Sequence, residues 1–187
     1  MSNSNVNSQY VLEMKTVQIA PMRTLMTALK DILLETNIVF SQDQYDEQGN
    51  LVSPAGIRII NMDKSHTILA HLFLDALKFE QFYCKYPKII IGVNMFHLFK
   101  LINTIDNDDT LTIYIEEKDY SDGIVEYLGL KFENGDIKQM KIQKLKLIEP
   151  DEEELDMPSV KFSSIINLPA TDFQKIIRDL SNISERL

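Results

Sequence analysis

The chain of 187 residues has a single cysteine, Cys84, so it can form no internal disulfide and cannot supply the thiolates of a structural zinc site. No run comes near 18 consecutive apolar residues, which leaves no candidate membrane-crossing helix. The start, Met1-Ser2-Asn3-Ser4-Asn5-Val6-Asn7-Ser8-Gln9, has neither the basic region nor the apolar core of a signal peptide. The chain therefore reads as soluble and intracellular, with no membrane partner. Catalytic patterns are missing too: no Gly-rich phosphate loop, HExxH or GxSxG occurs, and His66, His71 and His97 are scattered. Cys84 falls in a strand and reads as a packed core thiol rather than a nucleophile. Asp106-Asn107-Asp108-Asp109 lacks the spaced ligands and closing glutamate of a calcium loop, and reads as a helix-to-strand turn. No catalytic residue, metal or cofactor is expected, and the chain does not read as an enzyme.

An excess of positive charge is also missing. Nineteen basic residues stand against twenty-eight acidic ones, a net charge of −9, which argues against a surface uniformly built to coat nucleic acid. The distribution qualifies the sum. Six acids and no base lie between Glu149 and Asp156, which leaves only about −3 on the rest of the chain and room there for a local basic surface. What the chain does have is a composition 44% hydrophobic and 25% charged, enough for one globular domain or for one domain and part of another.

Residues 1–9 are polar and aperiodic, and are expected to be disordered. Tyr10 to Ile19 reads as a strand. Pro21 then suits a first helical turn, and Met22, Leu25, Met26, Leu29, Ile32 and Leu33 mark one buried helical face. Strands are expected at Asn37 to Phe40, Gly56 to Met62, Thr67 to Leu74 and Phe79 to Cys84, with Gln42 to Ala55 as a long exposed loop. Ile89 to Val93 runs into Asn94, a good helix cap, and a second helix with its stripe at Met95, Leu98, Phe99 and Ile102. Strands at Thr110 to Glu117, Ile124 to Phe132 and Ile137 to Leu147 follow, and the apolar phase of the last slips between Met140/Ile142 and Leu145/Leu147, which predicts a bulge or a strand crossing. Two βαβββ halves result, with both helices on one face of antiparallel sheets, an α+β domain over 10–148.

After an acidic connection at 149–161 the opening pattern returns. Pro21, Leu25, Leu29 and Lys30-Asp31-Ile32 are matched by Pro169, Phe173, Ile177 and Arg178-Asp179-Leu180, after a strand expected from Val160 to Leu168. Residues 162–187 thus read as the beginning of a second, incomplete domain. At 100° per residue, Arg23 and Lys30 on the first helix, Lys100 on the second and Lys175 with Arg178 on the third fall on equivalent polar faces. Such cations suit weak, salt-sensitive contact with a phosphate backbone and no reading of bases. Phe96 is the one aromatic expected near them, so a stacking platform for single strands is disfavoured.

Leu25-Met26-Thr27-Ala28-Leu29-Lys30-Asp31, Gly56 to Met62 with Asp63-Lys64-Ser65-His66, Gly92-Val93-Asn94-Met95, Leu155-Asp156-Met157-Pro158 and Arg178-Asp179-Leu180-Ser181 together resemble the proliferating cell nuclear antigen family of DNA sliding clamps. The resemblance implies a trimeric ring of two-domain subunits around double-stranded DNA, with helices lining the hole. It implies that Arg23, Lys30, Lys100, Lys175 and Arg178 face DNA, although Thr24 and Asn103 stand where lysines are usual. It implies that 149–161 is an interdomain loop. Met62, His66, Leu69, Leu155, Met157 and Pro158 then form a pocket for the short helical motif of DNA polymerase and other clients. Met140, Ile142, Lys144 and Leu145 fall on the strand that meets a neighbouring subunit. A clamp loader is the further partner implied, and the location implied is the nucleus, or a cytoplasmic replication site for a viral protein.

The family's second domain continues beyond the position equivalent to Leu187, so this sequence is expected to lack the surface that completes a head-to-tail ring contact. The function implied is that of a DNA polymerase processivity factor. The alternative is a truncated, non-ring interaction protein that binds client peptides or caps a full-length clamp.

Overall fold

A computed structural model describes residues 9–136, 138–151, 155 and 161–183. The chain divides into two compact units, Met1–Met157 and Pro158–Leu187.

In the first unit, β1 (Tyr10–Thr16) ends because the Thr16 hydroxyl accepts a hydrogen bond from the Gln18 amide at 3.0 Å and turns the chain. The strand expected to reach Ile19 is therefore three residues shorter, and Ile19 instead begins helix α1 (Ile19–Ile32). Ile19, Met22, Met26 and Leu29 are its buried face. Strand β2 (Glu35–Ser41) follows. The segment expected to be a plain loop holds a small ribbon, β3 (Gln44–Tyr45) and β4 (Leu51–Ser53). Its local signal is Asp46, whose carboxylate accepts from the Gln48 amide at 2.9 Å and the Asn50 amide at 2.8 Å, so that Gly49 takes a positive φ of 83°.

Strands β5 (Gly56–Met62) and β6 (Leu69–Asp75) form a hairpin, and a 3₁₀ turn leads to β7 (Gln81–Cys84). Strand β8 (Lys88–Asn94) runs into α2 (Met95–Ile102), where the Asn94 side chain accepts from the His97 amide at 3.2 Å. Then come β9 (Thr110–Glu116), the short pair β10 (Tyr120–Ser121) and β11 (Ile124–Val125), β12 (Tyr127–Asn134) and β13 (Gln139–Lys146). Asp122 and Gly123 both have positive φ and close the short pair in a two-residue turn.

Two antiparallel sheets result, one ordered β13-β12-β9-β1-β7 and one ordered β6-β5-β2-β8. The halves are interlocked: β1 of the first half pairs with β9 of the second, and β8 of the second pairs with β2 of the first. Neither half can bury its helix alone, so α1 and α2 pack on each other and share one core with both sheets.

The expected bulge in the last strand is not there. Pairing of β12 with β13 is unbroken from Tyr127↔Lys146 to Asn134↔Gln139. Strand alternation instead puts Leu145 in the core and leaves Met140 (61% exposed) and Ile142 (53%) on the outside. The crossing comes later, where the Leu147 amide bonds to Glu126 and the Ile148 amide to Gly92, on the edge of the other sheet.

In the second unit, helix α3 (Ala170–Ser181) starts after Pro169, as the repeat predicts. Residues 161–168 contain no strand, contrary to expectation. A strand is held by a neighbour's hydrogen bonds, and no strand pairs with this segment among the described residues.

Candidate functional site

The outer face of the four-stranded sheet carries a strap. Buried Thr36, Ile38 and Phe40 of β2 and Ile89, Ile91 and Val93 of β8 point into the shared core, so Asn37 and Gly92 point the other way. Asn37 holds Asp151 at both ends: its Nδ2 donates to the Asp151 carbonyl at 2.7 Å, and the Asp151 amide donates to its Oδ1 at 2.9 Å. A Cβ on Gly92 would lie 2.6 Å from the Ile148 carbonyl oxygen and 2.8 Å from that of Glu149, so the backbone passes directly over this glycine. Residues 148–151 thus lie across the sheet, and Leu155 meets it further along.

Where Leu155 meets the sheet there is a depression of about 340 Å³, lined among others by Leu34, Asn37, Met62, His66 and Asp151. Met62, His66 and Leu155, expected together, are together. Leu69 sits directly opposite Met62 in the hairpin but does not line the depression. Met157 and Pro158 lie outside the described residues.

The turn between β5 and β6 is built around Asp63. Its carboxylate accepts from the amides of Thr67 (2.8 Å), Ile68 (2.7 Å) and Ser65 (3.2 Å) and from the Ser65 hydroxyl. The Ser65 hydroxyl first, then these amides, hold the Asp63 carboxyl down at about 2. The network fixes His66 at a positive φ of 55°.

A second depression, of about 260 Å³, lies on the other side of Leu155 and was not expected from sequence. Val39, Ser41, Arg58, Lys88 and Ile90 line it, and the β3–β4 ribbon walls it through Gln44 and Ser53. The only sequence signal was the length of the 42–55 segment.

The expected DNA-facing cations divide. The Arg23 guanidinium donates to Asn107 Oδ1 at 3.0 Å and to the Ile105 carbonyl, which ties α1 to the turn after α2. Lys30 pairs with its neighbour Asp31 and lies 5.0 Å from the ring of Phe99 on α2. Lys100 is exposed, 4.3 Å above the Phe96 ring. These contacts place α1 and α2 side by side and antiparallel. Phe99, which periodicity assigned to the core stripe, is half-buried and serves as a platform for Lys30. Lys175 and Arg178 are exposed on α3.

Strand β13 ends its sheet and pairs only with β12 among the described residues. Of the residues expected to meet a neighbouring subunit, Met140 and Ile142 are exposed, while Leu145 is in the core. Lys144 bonds to Asp119 at 2.7 Å and to Glu116, and these two bonds raise its ammonium above the usual lysine range.

Among the described residues no cluster of His, Cys, Asp or Glu is arranged to hold a metal, and no helix is long and apolar enough to cross a membrane. Cys84 is buried, donates to the Tyr86 carbonyl at 3.2 Å, and has its thiol pushed up to about 11 by burial.

Comparison with known proteins matches residues 11–154 to the family described as proliferating cell nuclear antigen, N-terminal domain. A protein of Paramecium bursaria Chlorella virus 1 named probable DNA polymerase sliding clamp 1 is 29% identical over 187 residues, all of this chain and 63% of that protein. The proliferating cell nuclear antigen of Chaetomium thermophilum is 28% identical over 175 residues, 94% of this chain and 60% of that protein. The chain spans about three fifths of the length of these relatives.

Proposed function

Because the chain belongs to the proliferating cell nuclear antigen family, we propose that it is a subunit of a DNA sliding clamp, a trimeric ring that surrounds double-stranded DNA and keeps a polymerase beside its template. The mechanism is topological rather than catalytic. A closed ring cannot leave a duplex sideways, and cations that meet phosphates without reading bases leave it free to move along.

One observation carries the reading: the four-stranded sheet has two differently equipped faces. Its inner face packs against α1 and α2, the helices that bear Arg23, Lys30 and Lys100. Its outer face bears the strap and the depression between Met62, His66 and Leu155. A helical turn from a polymerase or another client, with a few apolar anchors, suits that depression. Leu69, Met157 and Pro158 extend it by family position, and Lys175 and Arg178 join the DNA-facing set. The open edge of β13, with Met140 and Ile142, is the surface offered to a neighbouring subunit, flanked by Lys144 and Leu145. A closed ring needs an opener to pass duplex DNA, so a clamp loader is the further partner. Replication in the nucleus, or at a cytoplasmic viral site, is the setting.

The test is retention. Protein loaded with a clamp loader on nicked circular DNA should stay bound through a salt wash and run off when the circle is cut. Equal retention on linear and circular DNA refutes encirclement.

A further inference from the structure

We propose that the second depression on the outer face is a carboxylate subsite, which binds an acidic side chain of a client peptide whose apolar anchors occupy the first. The proposal rests on the client reading above and names the chemistry that reading leaves open. Ser41 is 5% exposed, and its hydroxyl has no hydrogen-bond partner, although it lines the depression. A buried hydroxyl left unpaired is costly and marks a place where a polar atom of a ligand completes the bonding.

Arg58 supplies the charge. Its Nη2 donates to Ser53 Oγ at 2.7 Å, and its guanidinium lies 4.9 Å from the Phe73 ring, which fixes the group against the ribbon. Among the described residues nothing accepts from its Nε or Nη1, and no carboxylate pairs with it. A guanidinium held on one side, with donors left on the other, matches the two oxygens of a carboxylate. Ser41 adds one donor, and Lys88 lines the same hollow. Asn37, Ile60 and Leu155 line both depressions, so one peptide can occupy the two at once.

The occupant is an acidic residue just outside the client's helical motif. A phosphate group is larger and more highly charged, and needs more donors than Arg58 and Ser41 leave open.

Two fluorescent peptides test this, each carrying an aliphatic-aromatic clamp-binding helical motif and differing only in a flanking Glu or Gln, titrated into the full chain. The Glu peptide is expected to bind about tenfold more tightly, in line with a charge-assisted hydrogen bond. R58Q should abolish the difference and S41A should reduce it about threefold, with the Gln peptide unchanged. S41A removes a hydroxyl that bonds to nothing, so it keeps the fold if R58Q does not. Equal binding of the two peptides, or a preference that S41A and R58Q both leave intact, overturns the subsite while the client pocket stands. Failure of both peptides to bind removes the client reading and the subsite together. A preference that appears only after E152Q/E153Q/E154Q shows that the chain's own acids fill the hollow, and also overturns the proposal.

Discussion

Asn37 and Gly92 lie directly opposite each other across β2 and β8, and both exist as they are because the chain crosses above them. Asn37 supplies a donor and an acceptor to Asp151, while Gly92 supplies the absence of a side chain under the carbonyls of Ile148 and Glu149. The strap that borders the proposed client pocket is therefore seated by the backbone and by one amide.

Unseating the strap should weaken client binding and leave DNA association alone. G92A drives a methyl into backbone that cannot yield cheaply, and N37A removes two hydrogen bonds, each worth about 1 kcal/mol. Both variants should show faster proteolysis within 148–157 and at least tenfold weaker peptide binding. Polar replacement of Leu155 and Met157 should do the same to the peptide. An equal loss of DNA retention counts against the separation of the two faces.

The turn around Asp63 should loosen in acid. Its carboxyl sits at about 2, below the ordinary 3.8, so its contribution is fully present above about pH 4 and is lost as pH falls through 2. Amide resonances of Ser65, Thr67 and Ile68 should shift together over that range in the wild type. In D63A they should already lie at shifted positions at neutral pH. Resonances that stay fixed down to pH 2 refute the assignment.

Charge reversal should separate the cations. K100E, K175E and R178E change exposed groups and should each lower the salt-dependence slope of DNA binding by about 0.9, the contribution of one phosphate contact, with the melting temperature unchanged. R23E breaks the contacts to Asn107 and Ile105 and should lower the melting temperature as well. Slopes unaffected by all the reversals refute the DNA-facing set.

Lys144 should stabilise the fold through its pairs with Glu116 and Asp119. K144M leaves Asp119 and Glu116, both largely buried side chains, without their shared cation, and should cost about 1 kcal/mol, or about 3 °C, given how far Lys144 itself is exposed. Because the Lys144 ammonium is raised, its contribution is present below the ordinary lysine value and disappears as pH rises through the raised one. Equal melting temperatures of wild type and K144M at neutral pH refute the pair.

Much of this protein is local and was readable along the chain. The stripe from Met22 to Leu29, the Asn94 cap and the Gly56–Met62 strand all follow from periodicity and side-chain chemistry within a few residues. Where the answer depended on a distant partner, periodicity misled. Phe99 keeps the helical phase and packs against the core but also lies under Lys30, and the slip of phase after Ile142 marks no bulge, because unbroken pairing with β12 leaves Met140 and Ile142 outside while Leu145 enters the core. The expected strand before α3 had the right composition, but composition supplies no hydrogen-bonding neighbour.

The sequence by itself determined the three helices, most of the strands and the cations the helices carry, since each depends on neighbours along the chain. Only the tertiary structure decided that β1 and β8 exchange sheets, that Asn37 and Gly92 seat a strap, and that Arg58 and an unpaired Ser41 line one hollow. Each of these brings together residues that no local pattern links, and which pairs meet is settled by how two sheets and two helices share one core.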